Sequence, residues 1–595
     1  MNINLHMTRH PLAFFRNSTV FALLIASTAP LFGYELPPPK PIPAIPAPLP
    51  ADSVPMGDSR SAPEIKLDLP IEPGPYQPTW ESIEKNYPGT PAWLREAKFG
   101  IWVHFGPQAS GQSGDWYARR LYVPGTPAYN NHLKNFGHPS EVGYKEVLHQ
   151  WNPDKLDPAK LVSIYKDAGA RFLIIQGVHH DNFDLWNSRY QPWNSTRMGP
   201  KRDLLGEWSK AAKAAGIRYG VSFHHEYSWW WWQTAFGSDK EGPKAGVPYD
   251  GNLTLADGKG KWWEGLDPRM LYNVDLREYK GVTWAANSEW SPPPAGIFTR
   301  HLDYAKWYAT NWALRMMDVV HHYDPDFIYT DGTGSQPFSG DRTGTGIKCD
   351  ATQRVIADYY NHALKTRGKV DTFSIIKFRG KTNGTVNTTE SNLPDGIKTD
   401  QAWIGEVQVG DWFYRPGLDY ESKSMIRNIV EAVSRDGSVA ISVPILPDGS
   451  LEEASTRMLK EVGEWMRING EAIYGSHAWV VLGEGPDGKV RQLPGGALGR
   501  SQATFGFDTR DFRFTVGKDG ALYAFCMTVP APGAELKITS LGSVVNRLGK
   551  PVKTVTLLGN KGMPLQWKQE PDALVVTCPQ AMPFATAVCF RITLK

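Results

Sequence analysis

The stretch LIIQGVHHDNFDLWNS, residues 173–188, runs from an apolar segment straight into two adjacent histidines, an aspartate and a tryptophan. Imidazoles and a carboxylate held close together suit two chemistries. A metal ion takes them as ligands, whereas a sugar takes them as hydrogen-bond partners for its hydroxyls and sets its C–H face against the indole. Neighbours in an extended run point to opposite faces, so only a turn would bring His179 and His180 to one ion. The chain also contains no HExxH, so no metal and no cofactor is expected and the sugar reading is preferred.

Other apolar runs end in the same kind of residue. FGIWVHF (99–105) delivers His104, IRYGVSF (217–223) is followed by His224, His225 and Glu226, and PDFIYTDG carries Asp331 directly after an aromatic strand tip. Histidines at three successive strand ends are expected to converge on one pocket. Asp331, with Gly332 allowing a sharp exit, is the candidate nucleophile; its alternative role is to cap the following turn.

These residues need a scaffold that gathers strand ends. From Phe99 to about Trp479, short apolar strands alternate with amphipathic helices such as DLLGEWSKAAKAAG, TQRVIADYYNHALKTRG and SKSMIRNIVEAVSRDG. Six or seven such repeats predict an α/β fold, a (β/α)8-like barrel with an incomplete strand count, over residues 76–478. A doubly wound open sheet is the alternative, but no GxGxxG or P-loop marks one. Beyond Trp479, runs such as DFRFTVG, ALYAFCMTV and AVCFRITL alternate with turns and predict a separate antiparallel β-sandwich over 479–595. Barrel chemistry collects at the C-terminal ends of the strands, where the histidines and Asp331 fall.

Composition narrows the partners. The net charge of +3 over 595 residues gives no electrostatic case for nucleic acid or an anionic membrane. The 23 Trp, 24 Tyr and 24 Phe exceed what a core requires, and flat rings with a polar edge suit carbohydrate. A basic start followed by STVFALLIASTAPLFG reads as a secretory signal over 1–33, and LPPPKPIPAIPAPLP as the start of a stiff spacer over 34–75. The chain is therefore expected to be exported, to the periplasm or beyond the cell, with no membrane span. Four cysteines without CxxC spacing exclude a zinc ribbon and leave open a bridge among Cys526, Cys578 and Cys589.

The segments AKFGIWVHFG, GDWYARRLY, GVHHDNFDLWNSRYQPWNS, KRDLLGEWSKAAKAAGIRYGVSF, PDFIYTDG, VSRDGSVAISVPILPDGSL and GEWMRINGEAIYGSHAW resemble, in order, the successive motifs of the α-L-fucosidases of glycoside hydrolase family 29. The resemblance implies a retaining exo-glycosidase that removes terminal α-L-fucose from a fucosylated glycan, on a (β/α)8-like barrel with a C-terminal β-sandwich. It places Asp331 at the family's nucleophile, and His104, Trp116, His179 and His180 where the family binds fucose. His224 and Trp412 are further candidate sugar contacts.

The acid/base carboxyl is where the chain departs from the family pattern. Lys398, in DGIKTDQAWIGEVQVGDWFY, aligns with the family's glutamate, and an ammonium with a pKa of about 10.4 is a poor proton donor to an ether oxygen. Glu390 in TTESNLP, Glu406 in GEVQV and Asp115 before Trp116 are the carboxyls nearby, with Glu390 preferred. Without a working acid the chain would be a carbohydrate-binding protein on a decayed barrel; a glycosidase for a related sugar, such as α-L-galactose or sulfated fucose, is the other alternative. The Trp-rich loop 227–268 is expected either to line outer sugar subsites or to brace itself as a structural cluster.

Overall fold

The computed structural model describes residues 34–44, 63–226, 228–275, 302–331, 338, 347–377 and 384–595. The expected signal segment, residues 45–62 of the expected spacer and Gly332 lie outside the described residues.

Eight short parallel strands form the first sheet: β1 (Phe99–Val103), β2 (Phe172–Val178), β3 (Arg218–Phe223), β4 (Phe327–Thr330), β5 (Phe373–Ile376), β6 (Asn387–Glu390), β7 (Trp403–Gln408) and β8 (Ser438–Ser442). Their order is β5-β4-β3-β2-β1-β8-β7-β6. Ile375 and Val386 pair in parallel across the remaining seam, where the Val386 N–H donates to the Ser374 carbonyl at 2.9 Å, so the sheet curls into a nearly closed barrel. Residues two apart point to the same face of a strand, and here that face fills the interior. Phe172 and Ile174, Phe327 and Tyr329, and Phe373 and Ile375 are all buried in one cluster with Trp102 and Ile404. Gly220 makes room for this packing, since a Cβ there would sit 2.3 Å from the Phe327 ring.

Six of these strands were expected; β6 and β7 were not. β6 reads NTTE, with no large apolar residue, and is only partly buried, so the usual signal of an apolar run is missing. These two strands complete the ring, and they carry Glu390 and Glu406.

The C-terminal region forms two antiparallel sheets. β9 (His477–Glu484), β10 (Phe512–Val516), β11 (Leu522–Cys526), β13 (Val552–Leu557) and β16 (Val588–Leu594) make one; β12 (Glu535–Ile538), β14 (Trp567–Gln569) and β15 (Leu574–Thr577) make the other. Their inner faces share one apolar core. A buried network ties the sandwich to the barrel: Glu431, on the Ser422–Val433 helix, receives Arg513 of β10 at 2.6 and 2.9 Å and Arg435 at 2.5 Å. All four cysteines are buried free thiols, so the bridge left open among Cys526, Cys578 and Cys589 is not formed.

Two segments of the expected spacer instead lie on the barrel. Tyr190 donates to the Pro37 carbonyl at 2.7 Å and Trp307 Nε1 to that of Lys40 at 2.9 Å. Residues 63–76 run along the Ala351–Arg367 helix, where Asp350, Asp358 and Asn361 accept the backbone N–H groups of Leu67, Glu72 and Tyr76. Leu67 and Leu69 are buried there, which a solvated spacer would not allow. Among the described residues no helix is long and apolar enough to cross a membrane.

Candidate active site

The C-terminal ends of the strands meet in one pocket of about 100 Å³, lined by Trp102, His104, Asp115, Trp116, His179, His180, His224, Tyr329, Asp331, Lys377, Glu390, Glu406 and Trp412. All ten site candidates named from the sequence, from His104 to Trp412, are thus gathered in one place. His225 and Glu226 follow the same strand end as His224 but do not line the pocket. Both are fully buried behind it, and burial, reinforced by the nearby Asp331, pushes the Glu226 carboxyl well above its usual range.

The paired histidines reach one pocket because β2 does not stay regular. Its register against β3 shifts between Gln176 and Val178, and the chain turns at once, with the Asn182 N–H donating to the His179 carbonyl at 3.1 Å. Both rings therefore face the cavity, 4.5 Å apart. Gln108 Nε2 donates to His179 Nδ1 at 2.6 Å, which leaves the proton on Nε2, 3.7 Å from Asp115 Oδ1. His180 Nδ1 donates to the His224 carbonyl, and its Nε2 faces Asp331 Oδ2 at 3.4 Å.

Burial and mutual repulsion keep the other imidazoles neutral. Burial, then His224, holds His104 well below the usual range; burial, then His180 and His224, does the same to His179. Burial pulls His224 down to about 3, against the opposing pull of Asp331. Neutral rings each donate and accept one hydrogen bond, which matches sugar hydroxyls. His104, His179 and His224 also offer nitrogens within 4.8 Å of one another, a spacing that a transition-metal ion could draw together. The alternation argument considered only the adjacent pair and passed over this trio from three strands.

Asp331 follows β4, its N–H bonded to the Phe223 carbonyl at 3.0 Å. Oδ1 receives Lys377 Nζ at 2.6 Å and the Tyr329 hydroxyl at 3.4 Å. Burial alone would raise its pKa, but the Lys377 ammonium, followed by His180 and His224, outweighs burial and holds the carboxyl well below the usual range. Lys377, directly after β5, also reaches Glu390 Oε2 at 2.6 Å and Glu406 Oε2 at 3.7 Å. Burial works against its charge; Asp331, then Glu406 and Glu390, hold it protonated far above neutrality.

Glu390, the last residue of β6, and Glu406, two residues before the end of β7, are register partners. Glu406 is 1% exposed; Thr388 donates to its Oε1 and Tyr329 to its Oε2 at 3.1 Å. Burial raises it to about 7, against the pull of Lys377. The Glu390 side chain is 41% exposed, at the open side of the pocket. Asp115 accepts the Trp116 N–H at 2.9 Å, and burial, then Asp411, raises its carboxyl well above the usual range. Trp116 itself sits at φ +65°, a left-handed conformation that costs a bulky residue energy and turns its indole into the pocket beside His180, Trp230 and Trp231.

Lys398 is far from this chemistry. It is exposed, and its N–H bonds to the Arg435 carbonyl just before β8, at the opposite end of the barrel, so the alignment that set it against an acid/base glutamate does not hold in space. Lys377, Tyr329 and Trp102 were not singled out beforehand. The strand-end rule would have found Lys377 in TFSIIKF, and alternation from Asp331 would have found Tyr329. As for the Trp-rich loop, Trp229, Trp230, Trp231 and Trp232 are all buried, with Trp231 and Trp232 packed edge to face, so the run braces the loop.

A parallel barrel with facing carboxylates and neutral histidines at its mouth, joined to a β-sandwich, defines a glycoside hydrolase of the barrel class. The sequence model of the α-L-fucosidase family matches residues 65–471, and that of the α-L-fucosidase C-terminal domain matches 507–595; the chain belongs to this family. It is 24% identical to the tissue α-L-fucosidase of Rattus norvegicus over 538 residues, 88% of this chain and 93% of that one. To the plasma α-L-fucosidase of Homo sapiens it is 24% identical over 424 residues, 68% and 73% of the two chains. The structure resembles Thermotoga maritima α-fucosidase in complex with fucose, with TM-score 0.59 and 21% identity, covering 87% of this chain and 100% of that one. A family 29 α-L-fucosidase from Bacteroides thetaiotaomicron gives TM-score 0.55 at 18% identity, over 89% and 98%.

Proposed function

We propose that the chain is an exported, retaining exo-α-L-fucosidase acting on terminal fucose of a glycan. The observation that carries the mechanism is the shared ammonium. Asp331 Oδ1 and Glu390 Oε2 each lie 2.6 Å from Lys377 Nζ, so the two oxygens are within about 5 Å of each other, the separation a double displacement uses. Inversion with a water between the carboxyls would need a wider gap.

Asp331, kept ionised by Lys377, attacks the anomeric carbon while Glu390 protonates the departing glycosidic oxygen. As the fucosyl ester forms, Asp331 loses its negative charge and Glu390 gains one. Lys377 lies against both, so the ammonium keeps a carboxylate partner throughout and the site's net charge does not change. Glu390 then removes a proton from water, which opens the ester. His104, His179, His180 and His224 take the sugar hydroxyls, with Trp116 and Trp412 against its apolar face. A cavity of about 100 Å³ closed below by the barrel core takes one terminal ring.

Glu406 supports a second reading of the acid, because burial raises it to about 7, where an acid can hold its proton. Both its oxygens, however, already accept hydroxyl donors, and it lies behind Tyr329, whereas Glu390 faces the side from which a leaving group departs. Export rests on the basic and apolar N-terminal run alone. The deciding experiment is release of nitrophenol from 4-nitrophenyl α-L-fucoside by wild type and Asp331→Ala, beside the α-L-galactoside. Activity with neither substrate would favour a binding protein, and a preference for the galactoside would reassign the sugar.

A further inference from the structure

Away from the pocket, a second group of ligand-type side chains joins three segments. His321 lies in the last turn of the Leu302–Tyr323 helix, His362 in the Ala351–Arg367 helix, and Glu72 in the segment laid along the latter. Each offers one nitrogen or oxygen, and these atoms lie within 4.8 Å of one another. The two rings are 4.4 Å apart. Glu72 is 3% and His362 7% exposed, and His362 Nδ1 is buried without a hydrogen-bond partner, a cost that a ligand would remove.

We propose that Glu72, His321 and His362 form a structural site for a divalent transition-metal ion such as Zn²⁺, clamping the N-terminal segment onto the two helices. Imidazole and carboxylate are the donor set such an ion favours, and three protein ligands plus water complete a tetrahedron. The surrounding contacts fit. His321 Nε2 is held by Asp358 Oδ2 at 2.8 Å, the kind of carboxylate–histidine contact that orients imidazole ligands. Asp358 Oδ1 also accepts the Glu72 N–H at 2.7 Å, so one carboxylate positions two ligands. Drawing the three donor atoms onto one ion closes their spacing by up to about 1.5 Å, within reach of side-chain rotation.

Lys365 is the competitor. Its Nζ lies 2.9 and 3.0 Å from the Glu72 carboxylate oxygens, and its side chain is 50% exposed, free to swing into water when an ion displaces it. A purely structural ion pair and a metal site therefore predict opposite effects of removing it.

The test uses the full chain, stripped with a chelator and titrated with Co²⁺ followed by visible absorption, then with Zn²⁺ by calorimetry. Wild type is expected to show a tetrahedral cobalt spectrum at one equivalent and a Tm raised by Zn²⁺. His362→Gln should weaken binding at least a hundredfold, while His104→Gln, in the sugar pocket, leaves this spectrum in place. Lys365→Met should bind about tenfold more tightly. Hydrolysis by the His362→Gln and Lys365→Met proteins at 25 °C verifies that they fold. Absence of a cobalt spectrum in wild type, loss of it in His104→Gln instead of His362→Gln, or weaker binding by Lys365→Met would each overturn the proposal.

Discussion

Lys377 Nζ, directly after the fifth strand, stands 2.6 Å from Oδ1 of Asp331, directly after the fourth. The contact decides the charge of Asp331, because burial at the barrel mouth would otherwise favour the neutral acid. A neutral aspartic acid cannot attack an anomeric carbon. The ammonium is thus a positioning and charge-setting partner of Asp331, the proposed nucleophile.

Replacing it with Lys377→Met removes the largest influence that lowers the Asp331 pKa, so burial prevails and the pKa rises. Since the acid limb of kcat/KM reports ionisation of the free enzyme's nucleophile, that limb should move to higher pH, with a larger loss of kcat/KM at pH 5 than at pH 8. A pH–rate profile with its acid limb unmoved would show that Lys377 does not set this charge.

Asp331→Ala and Asp331→Asn should lose turnover by several orders of magnitude, because a covalent step disappears, yet melt near the wild-type temperature. Rates on an aryl fucoside and thermal melts check both halves. Retention of more than about a tenth of wild-type kcat would remove Asp331 from the nucleophile's role.

The barrel was legible where strands were apolar. FGIWV, FLIIQGV and FIYT are fully buried runs that announce themselves, and the polar residues after them fall in the pocket. NTTE gave no such signal, because its hydroxyls serve the site: Thr388 donates to Glu406, one strand over. A strand recruited for chemistry lacks the apolar pattern by which strands are recognised. Lys377 follows a legible apolar strand, but its role depends on carboxylates 46 and 13 residues away in sequence. No local spacing records such a meeting.

The Trp-rich loop gives a prediction about stability. Trp231 is fully buried against Trp232, His180 and Trp116, so Trp231→Ala should destabilise the protein by about 3–5 kcal/mol. Denaturant unfolding measures this. If Trp231 instead met only the aglycone, stability would hold while the preference among fucosylated acceptors changed.

The last prediction separates Glu390, Glu406 and Asp115 through leaving-group chemistry. Removing a general acid slows ester formation most when the leaving group is a poor one, since an alkoxide needs a proton and a nitrophenolate hardly does. Glu390→Ala should therefore lose hydrolysis of a fucosylated oligosaccharide about a hundredfold more than hydrolysis of an aryl fucoside. The same residue serves as base when water opens the ester, and azide needs no deprotonation, so azide should restore turnover of the aryl substrate. Two inversions in sequence make the product α-L-fucosyl azide, whereas azide rescue of Asp331→Ala, with one inversion, would give the β anomer. Glu406→Ala and Asp115→Ala should lose activity without this rescue: Glu406 already accepts two hydroxyl donors, and Asp115 accepts the Trp116 N–H. Should azide rescue Glu406→Ala and leave Glu390→Ala unchanged, the proton donor is the buried carboxyl of β7, and Glu390 serves only to balance Lys377.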